Sequence, residues 1–282
     1  MHIISPVELS ISDLFKGDFQ LASPPNIYFE LKKILDNPHK SLIDAALVIE
    51  KDPSLSIRLL KIVNSAYYGF PAKIVSIDRA ISIIGITEIQ ILTLSTIVID
   101  RFSDLPGELM SMHDFWASSL RCALIAHNID QHLDNNFADA AFICGLLHNI
   151  GQLVFFRRIP ELAKEVSLIV QALDNPTDLD EIKMERSIIG FDHYKAGAEL
   201  TKLWKLPTII TESLRLHPYP DNTETHHKIA SIIRLADCYS KIDKVYCDTV
   251  ATSLEISPTD MSVIIDKSYD EFEEIFKVFY PE

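Results

Sequence analysis

The chain has 282 residues, enough for one large domain or two ordinary ones, and enough to bury a core without disulfide or metal support. Its 40 acidic residues outnumber its 26 basic ones, and the net charge of −14 disfavours nonspecific nucleic-acid binding, which needs cations set against phosphates. With 48% apolar residues and only 8 glycines, long disordered tracts are not expected.

The N-terminus, MHIISPVELSISD, lacks the basic region and unbroken apolar block of a signal peptide, so a cytoplasmic protein is expected. From there the periodicity is helical. Ile34, Leu35, Ile43, Ala46, Leu47 and Ile49 recur at threes and fours. Ser41 precedes one helix, and Asp52-Pro53 opens the next with proline at its first position. Ser76 or Asp78 starts a segment running to Ile84. The stretch 81–99, ISIIGITEIQILTLSTIVI, is about as long as a membrane span. Glu88 and Gln90 interrupt it, and Gly85 followed by Thr87 reads as one helix ending and another starting, so two buried helices are expected.

Residues 103–113, SDLPGELMSMH, hold Pro106-Gly107 and few core residues. The boundary between two helical halves, 1–105 and 106–282, is placed there. Asp114 is positioned to cap the following helix, FWASSLRCALIAHNI. Polar loops are expected near 173–180 and 219–226, and Ser257-Pro258 opens a last helix ending in the 260s, with Asp260 supporting its cap. The four cysteines, Cys122, Cys144, Cys238 and Cys247, form no C-x-x-C pair, and Cys122, Cys144 and Cys238, among apolar residues at helical spacing, read as reduced core residues.

Three histidines stand at helix ends. His148 closes AAFICGLL, His193 opens the helix after GFD, and His217 closes ITESLRL. Asp237 lies inside an apolar helix, where a lone carboxylate is costly unless paired or bound; Arg234 is one partner within reach. Each histidine alone reads as a helix-end or core residue. Together, imidazole and carboxylate donors suit Mn, Fe, Zn or Ni.

The succession His148-Asn149, His193, His217, Asp237 resembles the HD superfamily of metal-dependent phosphohydrolases. Those proteins carry a first His, an adjacent His-Asp, often further histidines and a last Asp. On this resemblance Ser118, in Trp116-Ala117-Ser118-Ser119, stands where the first His is expected, and Asn149 stands where the Asp is expected. Residues 52–95 are similar to the signature of the HDOD family, HD-related output domains of bacterial signalling proteins. The landmarks are Asp52-Pro53, Arg58-Leu59-Leu60, Asn64-Ser65-Ala66, Tyr68-Gly69, Ala80-Ile81 and Gly85. GLLHNIGQLV, HYKAGAELTKLWKLP and LADCYS extend the match to roughly residues 15–270.

The resemblance implies an all-α fold of two packed helical subdomains, the C-terminal one HD-like. It makes His148, His193, His217 and Asp237 a vestigial metal site with Ser118 and Asn149 at lost ligand positions. Asparagine offers a cation a neutral amide oxygen, cannot bridge two metals as a carboxylate does, and takes no proton near pH 7. Among the remaining residues, Asn64 is placed to bond the loop backbone near Tyr67-Tyr68-Gly69, Arg58 to cross between the halves, Arg157-Arg158 to face solvent, and Trp204 to anchor the core.

The function expected is a non-catalytic signalling module with no resident cofactor. Its partner is a bacterial signalling protein, or a small-molecule or nucleotide effector in the groove between the halves. The alternative is a phosphohydrolase acting on a nucleotide or cyclic dinucleotide with a single divalent transition metal. A nucleic-acid regulator fits the acidic balance least.

Overall fold

The structure is a computed structural model that describes residues 9–18, 21, 23, 25–65, 67–102, 105, 110–174, 176–220, 223–240 and 250–280. Among them there are helices and no strands. A 3-10 turn, Ile11–Phe15, leads into α1 (Asn26–Leu35), α2 (Leu42–Glu50), α3 (Pro53–Val63), α4 (Ile77–Ile84) and α5 (Ile86–Arg101). The second subdomain follows with α6 (Met112–His132), α7 (Ala138–Leu147), α8 (Ile150–Arg158), α9 (Pro160–Gln171), α10 (Asp178–Ile188), α11 (His193–Leu203), α12 (Thr208–Leu216) and α13 (His227–Ser240). The last helix, α14 (Pro258–Phe279), packs on α6 and on α3. Most of the expected boundary falls on residues 103, 104 and 106–109, which lie outside the described residues, as does Cys247.

The helix starts follow local chemistry. The Ser41 hydroxyl accepts from Asp44 N–H, and the Asp44 carboxylate accepts from Ser41 N–H, a reciprocal cap. Asp52 caps α3 ahead of Pro53, and Ser257 accepts from Asp260 N–H ahead of Pro258. Two expectations are corrected. The cap of α6 is Ser111, which accepts from Asp114 N–H, so the helix begins three residues earlier than a cap at Asp114 requires. The last helix does not end in the 260s. It continues to Phe279 because Met261, Ile264, Phe272, Ile275, Phe276 and Phe279 keep a buried stripe at helical spacing.

Gly85 divides the long apolar stretch. Its φ of +89° and ψ of 155° stop α4, and α5 leaves at 118°. Among the described residues only Ala138–Arg158, which spans α7 and α8, is one helix long and apolar enough to cross a membrane. Of its most apolar window 83% is buried against the rest of the protein.

One hydrophobic cluster runs through both subdomains, from Leu14 to Phe279. α5 lies on α7 across the seam. Arg58 does cross it, pairing with Asp100 and donating from Nη2 to the Phe279 carbonyl at 2.9 Å. The N-terminal segment crosses in the other direction. Its 3-10 turn rests on α8 and α11, and Trp204, fully buried, donates from Nε1 to the Leu21 carbonyl at 2.8 Å.

Arg157 and Arg158 do not simply face solvent. Arg157 Nε reaches Asp18 Oδ2 at 2.8 Å, and Arg158 Nη2 donates to the Lys16 carbonyl at 2.7 Å, so both are spent holding the N-terminal segment. Asn64 forms a corner, though not at the expected place. Its amide donates to the carbonyls of Leu60 and Ile74 and accepts from Ile74 N–H, bonding the far end of the loop and not the Tyr67–Gly69 turn.

Backbone approaches backbone where α8 meets α11. A Cβ built on Gly151 would stand 1.8 Å from the His193 carbonyl oxygen and 2.8 Å from Gly197 N, so no side chain fits there. Gly151→Ala is expected to cost about 3 kcal/mol or more, or to prevent folding, because the obstacle is backbone. Gly85→Ala, which meets nothing within 4 Å but must hold a positive φ, is expected to cost about 1–3 kcal/mol. Urea denaturation of the two variants checks the order.

Candidate functional site: a closed histidine–aspartate cluster

The second subdomain gathers its helix ends around one buried point. His148 follows α7, Asn149 is the N-cap of α8, His193 is the first residue of α11, His217 follows α12 and Asp237 faces inward from α13. His148, His217 and Asp237 are each 0% exposed. His148 Nε2 lies 2.9 Å from Asp237 Oδ1, and its Nδ1 lies 2.7 Å from the Gly145 carbonyl. A carbonyl oxygen only accepts, so Nδ1 carries a proton, and the bond to Asp237 needs one more proton between the two side chains.

His217 Nε2 stands 4.0 Å from Asp237 Oδ2, and Arg234 Nη1 stands 3.8 Å from the same oxygen. The His217 ring meets the His148 ring edge-to-face at 5.6 Å. Tyr194, also buried, packs edge-on against His217 with centroids 4.2 Å apart. Ser118 comes to the edge of this group, its Oγ 3.4 Å from Ser240 Oγ, which in turn donates to the Asp237 carbonyl.

His193 belongs to a different set of contacts. Asp192 caps α11 by accepting from Lys195 N–H and is itself held by Arg186 Nε at 2.8 Å. Glu185, from α10, accepts from both His193 N–H and Nδ1, with both carboxylate oxygens 2.8 Å from Nδ1. Glu181, one turn earlier on α10, accepts from Gln152 Nε2 at 3.0 Å. Glu181, Glu185 and His193 offer donor atoms that all lie within 4.8 Å of one another, the one such group of three among the described residues. Sequence reasoning missed both glutamates. The available signal was their i, i+4 spacing on one face, eight residues and a glycine turn ahead of His193.

Because Glu185 holds Nδ1, it orients the His193 ring, and Nε2 is the nitrogen left for another contact. Nε2 has no hydrogen-bond partner among the described residues, and neither has the buried Asn149 Oδ1. The sequence-predicted site is therefore brought together in two parts. His148, His217 and Asp237 contact one another, and His193 is held by Glu185 and joined to them through Tyr194, whose ring meets both His193 and His217.

A family model described as the HDOD domain matches residues 21–220. The chain belongs to the HDOD family. A curated relative from Treponema pallidum (strain Nichols), named an uncharacterized protein, is 29% identical over 222 residues, 76% of this chain. This HDOD chain spans 40% of that relative's length. The crystal structure of a provisionally named phosphohydrolase from Shewanella amazonensis SB2B shares its fold, with a TM-score of 0.73 and 22% identity over 91% of this chain and 94% of the other. So does that of a provisionally named signal transduction protein from Marinobacter aquaeolei VT8, with a TM-score of 0.70 and 19% identity over 90% of this chain and 59% of the other.

The donor set of this HDOD protein does not fit a paired-metal phosphohydrolase centre. Ser118 and Asn149 bring no imidazole and no carboxylate. His148 Nε2, the nitrogen a metal would take, is bonded to Asp237. What remains is a partial cluster of Glu181, Glu185 and His193.

Burial favours the neutral His193 ring, but the adjacent Glu185 carboxylate outweighs it, helped by Glu181 and Asp192, and the pKa rises from 6.5 to about 8. A histidine whose pKa is raised on folding stabilises fully below its unfolded pKa and loses that contribution as pH climbs through the folded one. The His193–Glu185 contribution is thus whole below pH 6.5 and fades through about pH 8. In chelator-treated protein, urea titrations across that window should show wild-type stability falling by on the order of 1–2 kcal/mol. Glu185→Gln should flatten the fall. An equal slope in the variant would assign the pH dependence elsewhere.

Proposed function

We propose that this HDOD chain is a non-catalytic signalling module that acts by contact with another bacterial signalling protein. The observation that carries the reading is the closure of the HD positions on one another. His148 and Asp237, both fully buried, are hydrogen-bonded at 2.9 Å; on the resemblance to HD enzymes, Ser118 and Asn149 stand where two ligands are expected. A phosphoryl-transfer centre needs donors open to a metal and a substrate; here His148 Nε2 and Asp237 Oδ1 are taken up by each other, and of the sequence-predicted donors His193 Nε2 keeps no protein partner among the described residues. The protein named for signal transduction in Marinobacter aquaeolei VT8 supports this reading by its name, and the one named for phosphohydrolysis in Shewanella amazonensis SB2B supports the rival. Residues 1–105 and 106–282 are taken to act as one unit, since a single core and the Arg58 bridge join the subdomains.

Single-turnover assays of nucleotides and cyclic dinucleotides with Mn or Mg should show no appreciable hydrolysis. Activity that disappears in both His148→Gln and Asp237→Asn, each still folded, would overturn the reading.

A second reading keeps a single divalent transition ion, favoured by the Glu181, Glu185 and His193 cluster and by the unpartnered His193 Nε2 and Asn149 Oδ1. Restoring donors separates the two readings. Ser118→His with Asn149→Asp adds an imidazole and a carboxylate on helices already packed. Metal binding to the native state alone raises stability by about 2.7 kcal/mol at a hundredfold excess over the dissociation constant. Melts with and without Mn or Ni should therefore shift upward in the double variant only. An equal shift in the parent would establish the single-ion reading.

A further inference from the structure

Where the subdomains meet, α3, the loop after it and the C-terminal turns of α14 enclose an open groove. Its apolar lining includes Ile57, Leu60, Val75 and Val278, of which Ile57 is 56% and Val75 75% exposed. Lys61, Lys73 and Lys277 stand along it, all exposed, against one acidic residue, Glu274. This local excess of positive charge occurs in a chain of net charge −14. Arg58 also lines the groove but is engaged with Asp100 and the Phe279 carbonyl. Two buried polar atoms there, Arg58 Nε and Ser65 Oγ, have no hydrogen-bond partner among the described residues.

The first subdomain carries further exposed apolar side chains. Seven of the fourteen exposed large apolar side chains among the described residues fall between Leu35 and Ile83, so the first subdomain presents much of the apolar surface.

We infer that this groove receives an acidic amphipathic helix from a partner protein, apolar face down between α3 and α14 and carboxylates toward the three lysines. The inference rests on the reading that the chain acts by protein contact, and it names the chemistry of that contact. Three observations select this occupant. No aromatic ring lines the groove, so a nucleotide base finds nothing to stack on. The lysines come from three separate segments and present point charges, without the fork of a free arginine that a phosphate would favour. Among the described residues there is no strand edge to add a strand to, so an apolar groove between helices is left as the way to take a peptide. An occupant here touches both α3 and α14 beside the Arg58 bridge, and so reads the relative position of the two subdomains.

The test uses the full chain and a fluorescein-labelled synthetic peptide with leucines on one helical face and glutamates on the other. A second peptide carries lysine at every glutamate position. Anisotropy should show binding of the acidic peptide, weakened by added salt, and none of the basic one. Lys73→Glu with Lys277→Glu should weaken it by about tenfold or more, and Val75→Ser by several-fold, with unchanged melts because all three positions are on the surface. Methyl resonances of Ile57, Leu60, Val75 and Val278 should shift on titration. Equal binding of both peptides, unchanged affinity in the lysine variants, or methyl shifts confined to other sites would overturn the inference. So would displacement of the peptide by ATP or a cyclic dinucleotide with shifts at the same methyls, which would make the groove a nucleotide site. Concentration-dependent dimerisation abolished by Lys73→Glu would assign it to a second copy of the chain. Metal-dependent turnover would count against the non-catalytic reading alone and leave the groove result standing.

Discussion

Two backbones in contact with no side chain between them set the spacing of the histidine cluster. Gly151 lets α8 rest on the first turn of α11. Because His148 and Asn149 lie just ahead of Gly151 and His193 lies at the point it touches, that one contact draws both parts of the cluster into the same interior. Gly145 does the same one helix earlier. A Cβ there would stand 2.7 Å from Ala123 Cα, so α7 presses against α6, the helix that carries Trp116 and Ser118. The loss of side-chain packing at these glycines is offset by the buried polar contacts their closeness permits.

Those polar contacts give the metal-type residues a structural use of their own. A buried carboxylate left alone is far more costly than one bonded to an imidazole, and removing either member of a buried pair leaves an uncompensated group. Asp237 has His148, His217 and Arg234 around it, and Glu185 has the His193 ring and backbone. Each residue offsets the cost of burying its neighbour. The order of histidines and acids along the chain is therefore evidence of a shared architecture before it is evidence of a reaction.

The sequence disclosed most of what was local, though it put the cap of α6 at Asp114 instead of Ser111. Helix ends at His148, His193 and His217 could be read because capping residues and apolar periodicity stop at the same places, and the break at Gly85 could be read because only glycine suits that backbone. What depended on distant partners was hidden. Glu181 and Glu185 sit in DLDEIKMERSI, a polar helix that looks like a solvated surface until the turn at Gly190 brings His193 against Glu185. Arg157 and Arg158 looked like helix-end cations because Asp18 and Lys16 lie about 140 residues away in sequence. The full length of α14 was missed for the same reason: its stripe becomes a core face only against α6 and α3.

The two ends of the described chain are each fastened to the opposite subdomain. The segment through Lys16 and Asp18 is tied to α8 by Arg157 and Arg158, and the carbonyl of Phe279 is tied to Arg58 on α3. A pull applied at the N-terminal segment is thus delivered first to the C-terminal helices, and a pull at Phe279 first to the N-terminal ones. Tension between the ends must therefore cross the seam between the subdomains. A tethered neighbour tugging on either end would be felt by both subdomains together.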